Sequence, residues 1–101
     1  MSCDMEFYDI DLANKHGIDV AVVYAHFCNI CAEFYSNTMF HATIKEIMLS
    51  HRFLSHYKTR NALDRLIGIG LVEDCTGGYY KLKNWNDAVK FKELRQSLNR
   101  V

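Results

Sequence analysis

Proline is absent from the 101 residues, and glycine occurs only five times. So few backbone breakers exclude collagen-like, proline-rich and low-complexity architectures, and favour helices joined by tight connections. Nowhere do apolar residues run for the roughly 20 positions that a membrane-spanning helix needs, so none is expected. No positively charged leader is expected either. The chain opens MSCDMEFYDID, an acidic stretch unlike a secretory signal. HExxH, a glycine-rich phosphate loop and GxSxG are all lacking, and the five histidines stand at unconnected places. The expectation is a cytoplasmic protein that is not an enzyme and needs no cofactor.

What is present suffices for one core. Half the residues are hydrophobic and 13% are aromatic, in a length that suits a single domain. Two of the four cysteines, Cys28 and Cys31, form a CxxC inside AVVYAHFCNICAEFY. That stretch reads as uninterrupted helix, whereas zinc pairs sit on turns and come with a second pair, which is missing here. The thiols are therefore expected to be reduced and to pack as small hydrophobes, with no metal bound.

Formal net charge is zero, yet it is unevenly spread. Residues 1–36 carry one base against six acids, a net of −5. Residues 37–101 carry eleven bases against six acids, a net of +5. A basic half is what a nucleic-acid site requires, and total charge conceals it.

Periodicity gives the order of elements. A short helix over Asp9 to His16 ends at Gly17, and Asp19 is the expected cap of a long helix running to about Ser36, where Asn37 breaks it. Met39 to Ala42 fits a short strand. Thr43 with Glu46 forms a capping-box pair ahead of a helix from Ile44 to about Ser50, inward through Ile44, Ile47 and Met48. After four connecting residues, Ser55 caps a further helix that turns Thr59, Ala62, Leu63, Leu66 and Ile67 inward and ends at Gly68 and Gly70. Two strand-like runs, 71–75 and 79–83, flank the turn Thr76-Gly77-Gly78. A last helix over about 85–101, capped by Asn84 or Asn86, places Ala88, Phe91, Leu94 (or Arg95), Leu98 and Val101 along a seam.

Two short helices joined by a tight turn and followed by a β-hairpin define a winged helix-turn-helix, a mostly α fold with a small hairpin. The helix after Ser55 would be its recognition helix. Its inward set turns Tyr57, Arg60, Asn61 and Asp64 toward solvent, with His56, Lys58 and Arg65 on the flanks. Arg60 suits guanine and Asn61 suits adenine through paired hydrogen bonds. Arg52, Ser55, Tyr57 and Lys58 suit phosphate, as do Lys81 and Lys83 on the return strand of the wing. His51 and His56 would add charge below about pH 6.5. Asp64 and Glu73 oppose DNA wherever they face it. Tyr79 and Tyr80 either reach phosphate or pack.

The long second helix is apolar on nearly every side. In so short a chain that suggests a second subunit, with Val20, Val23, Tyr24, Phe27, Ile30, Cys31 and Phe34 as the expected dimer surface and the C-terminal seam as the other candidate.

GIDVAVVYAHFCN, followed by ATIKEIMLSHRFLSHYKTRNALDRLIGIGLVE, resembles the winged-helix module at the N-terminus of plasmid and phage replication initiators: the RepA N-terminal, DnaD-like and phage replication protein O families. Gly17, Ala21, Phe53-Leu54-Ser55, Ala62-Leu63, Leu66 and Gly70-Leu71-Val72 fill the places of the family pattern, over roughly residues 9–83. The chain departs from it at Lys58 and Thr59, where those families carry threonine and an aliphatic residue. The resemblance implies double-stranded DNA binding at origin repeats, often as a homodimer, with the DNA handed to a following domain or to replication proteins. A winged-helix transcription regulator, or a phage interaction module that kept the fold without binding DNA, are the other expectations.

Overall fold

Asp9 caps the first helix, α1 (Ile10–His16): its Oδ1 accepts from the backbone N–H groups of Asp11 at 2.9 Å and Leu12 at 3.2 Å. This computed structural model describes residues 8–34 and 39–99, and for 33, 34, 95, 98 and 99 the backbone alone. Gly17, at φ +103°, donates its N–H to the Ala13 carbonyl at 2.8 Å and turns the chain straight into α2 (Ile18–Phe34). Asp19 therefore lies inside the first turn of α2 and is not its cap. The Gly17 carbonyl already accepts from the Ala21 N–H, so the helix starts earlier than the cap residue suggested. The expected end at Ser36 and break at Asn37 fall outside the described residues.

Strand β1 (Phe40–His41) precedes α3 (Ile44–Ser50), where the Thr43 hydroxyl accepts from the Glu46 N–H at 3.1 Å. Helix α4 (His56–Gly68) opens on Ser55, whose Oγ accepts from the Lys58 N–H at 3.1 Å. Gly70, at φ +83°, lets the Leu71 N–H return to the Leu66 carbonyl and close the helix end. Strands β2 (Val72–Asp74) and β3 (Tyr79–Leu82) form the expected hairpin, and α5 (Trp85–Asn99) follows. One pairing was not legible beforehand. β1 joins the far side of β3, Phe40 opposite Tyr80, to give a three-stranded antiparallel sheet in the order β1-β3-β2. Among the described residues the fold is thus mostly helical with one small sheet.

Helix α2 packs against α1, α4 and α5, and this corrects the expected dimer surface. Val20, Val23, Tyr24, Phe27 and Cys31 are all buried within the chain itself. Ile30 is half-buried, and the side chain of Phe34 lies outside the described residues. A short chain encloses an apolar helix by packing others about it, so the five buried side chains build the core and offer no free face. Each large side chain so enclosed contributes roughly 1.5–3 kcal/mol. On α5, Ala88 is buried, Phe91 half-buried and Leu94 half exposed, while the side chains of Arg95 and Leu98, and all of Val101, lie outside the described residues.

The thiols follow from this packing. Burial first, then the nearby Asp87 carboxylate, pushes Cys28 well up, and burial pushes Cys31 up to about 11. Cys28, Cys31 and Cys75 are free, and among the described residues there is no group of three metal-ligating side chains.

Candidate nucleic-acid interface

Helix α4 separates its residues by period. Thr59, Ala62, Leu63 and Leu66 are buried against the core, and Ile67 is half-buried. His56, Tyr57, Lys58, Arg60, Asn61 and Arg65 are all exposed, Tyr57 by 75%. The buried threonine has a local explanation: its Oγ1 donates to the Ser55 carbonyl at 2.8 Å, so the hydroxyl is satisfied within the first turn. Ser55 is itself exposed, and its cap bond leaves its hydroxyl hydrogen free to donate. Arg52, in the connection before it, is exposed as well.

Electrostatics divide this face. Arg60 Nε lies 3.6 Å from Asp64 Oδ1, so this exposed arginine already shares its charge with the carboxylate four residues on. Lys58 and Arg65 are exposed on the same helix, and Arg52 is exposed in the connection before it. The first turn of α4 adds backbone N–H groups and the positive end of the helix dipole, which favour phosphate.

The hairpin contributes less. Tyr79 and Lys81 alternate with Tyr80 and Leu82 along β3, and Lys83 lies just past the end of the strand. Lys83 is exposed, but Lys81 is half-buried and opposite Glu73 in register. Tyr80 packs: its ring stacks on Phe27 at 5.8 Å, and burial, followed by the Asp74 carboxylate, pushes its phenol up, with Arg60 pulling the other way. Arg60 and Asp64 therefore lie within electrostatic reach of the central strand. Tyr79 stays half exposed, in an edge-to-face contact with His41.

One expected contribution is corrected. His51 is buried, and its Nδ1–H donates to the Ile47 carbonyl at 3.1 Å, with His26 and Phe53 against its ring. It completes the C-terminus of α3 instead of facing a ligand. His56 remains the exposed imidazole of this region.

Sequence reasoning missed Lys45. It is exposed on α3 and comes together with Arg52 and His56 around one groove. The signal was available in the inward set of α3, since Ile44, Ile47 and Met48 leave position 45 on the outside.

Among the described residues no helix is long and apolar enough to cross a membrane. Comparison with protein-family models, curated proteins and solved structures gave no significant match.

Proposed function

We propose that this chain binds double-stranded DNA in a sequence-dependent manner as a winged helix-turn-helix. In this reading α3 and α4 form the helix-turn-helix, β2 and β3 the wing, and α4 the recognition helix. One observation carries it: α4 buries an aliphatic back and leaves His56, Tyr57, Lys58, Arg60, Asn61 and Arg65 together on its outer arc. Such a helix enters the major groove by its first turns. Lys58 and Arg52 would hold phosphates, while Arg60 and Asn61 would read base edges. The wing tip, Thr76-Gly77-Gly78, carries no charge, so Lys83 would be the wing's main backbone contact, with Lys81 behind it.

The resemblance at Gly17, Ala21, 53–55, 62–63, 66 and 70–72 favours an origin-binding role in a cytoplasmic phage or plasmid replication initiator. Two copies would read half-sites about 34–36 Å apart, or a multiple of that. With most of α2 committed to the core, the outer side of α5 around Leu94 is the better surface for such a pair. Selection of bound duplexes from a random pool tests the proposal. A recovered motif, repeated at an origin, supports it; a single motif over a promoter favours a transcription regulator; no enrichment at low salt sinks DNA binding altogether.

A further inference from the structure

A groove of about 500 Å³ runs between α3 and the start of α4, and DNA contact does not account for its floor. That floor is apolar: Leu54 is buried, Ile44 and Met48 are half-buried, and the exposed Leu49 extends the apolar lining. Lys45, Arg52 and His56 form its rim, and none of the described lining residues is acidic. A phosphate backbone would use the rim and gain nothing from the floor. Leu49 nevertheless stands 63% exposed on a seven-residue helix, and Phe53, 62% exposed, follows in the connection. An open trough with an apolar base and cationic edges is complementary to one kind of protein element, a helix with an aliphatic stripe flanked by carboxylates. The unbranched Met48 side chain adapts readily to such a stripe.

We propose that this groove docks an acidic amphipathic helix of a partner protein. Ile44, Met48, Leu49 and Leu54 take the aliphatic anchors, and Lys45, Arg52 and His56 pair with the flanking carboxylates. A corollary rests on the DNA reading above: Arg52 and His56 serve both ligands, so an occupied groove excludes duplex.

The probe is a synthetic helical peptide with leucines at i, i+3, i+4 and i+7 and glutamates on the flanking positions. The control replaces those glutamates by lysine. Binding is followed by fluorescence anisotropy and by amide and methyl NMR shifts. The acidic peptide should saturate, shift Lys45, Met48 and Leu49, and bind at least about tenfold more tightly than the lysine peptide. Leu49→Glu and Lys45→Glu, both at exposed positions, should each weaken it by about tenfold or more. No saturation with either peptide, or equal binding of both, would overturn the proposal. Added duplex separates the two readings. Competition supports the corollary, and a ternary complex refutes it. Peptide binding by a chain that ignores duplex keeps the groove and discards the DNA proposal.

Discussion

Arg60 and Asp64 stand one turn apart on the outer face of α4, with the guanidinium Nε 3.6 Å from the carboxylate. Both side chains are about 60% exposed (61% and 59%), so the pair contributes little to folding, about 0–1 kcal/mol. In the proposed DNA complex its weight would fall on recognition. The carboxylate repels phosphate and occupies the group best suited to guanine.

Replacing Asp64 by alanine should therefore tighten duplex binding severalfold, most of all at low salt, while changing stability by less than about 0.5 kcal/mol. Anisotropy titrations beside urea unfolding check this. Weaker binding would mean that Asp64 positions Arg60 instead of restraining it.

The first turn of α4 depends on Ser55. Ser55→Ala removes the cap to the Lys58 N–H and should cost about 1 kcal/mol. Thr59→Val keeps the buried volume, and the Ser55 carbonyl still accepts from the backbone N–H of residue 59, so the cost should stay below about 1 kcal/mol. Denaturant midpoints at constant slope give both values. Equal losses would show that the hydroxyl of Thr59 matters as much as the cap.

Thr76 holds φ +70° at the hairpin tip, where a β-branched residue is strained. Thr76→Gly should stabilise the chain by up to about 1 kcal/mol, less the extra entropy glycine gains on unfolding. A lower melting temperature in the variant would mean that the Asp74 carboxylate, which accepts from the Thr76 N–H at 2.9 Å, fails to hold the turn without the side chain.

Buried thiols predict a loss of stability in alkali. Cys31 keeps its proton in the folded chain up to about pH 11, whereas an unfolded thiol loses it near 8.5. Its contribution is fully present below about pH 8.5 and declines as pH rises toward 11. Cys28 acts in the same direction. Unfolding curves at pH 8 and pH 10.5 should show a smaller loss for Cys31→Ala than for the parent chain; identical losses would contradict the assignment.

The sequence carried the local decisions and missed the distant ones. Thr43 and Ser55 cap where their spacing says, and Thr59, Ala62, Leu63 and Leu66 face inward, because caps and helical period act over three or four residues. The Tyr24 phenol donates to Asp87, 63 residues away, and ties α2 to α5; no periodicity reports such a pair. The pairing of Phe40 with Tyr80 escaped for the same reason. The fate of α2 shows the limit most clearly. An apolar surface on every side is visible in the sequence, but whether a second copy or the chain's own helices cover it depends on how α1, α4 and α5 assemble. At the site, the composition of the exposed arc was legible, and so was the outward place of Lys45, whereas the Arg60–Asp64 contact and the withdrawal of His51 became visible only in three dimensions.

The central claim is that Lys58 and Arg60, presented by α4, meet DNA. The most direct measurement is duplex affinity against salt concentration for the parent chain, Lys58→Ala and Arg60→Ala. For roughly six neutralised phosphates, log affinity should fall with log salt at a slope near −5, and Lys58→Ala should flatten that slope by about 1. Arg60→Ala should cost about 1–3 kcal/mol on the selected site and less on random duplex. Affinities that neither substitution alters, or no binding even in dilute buffer, would contradict the account.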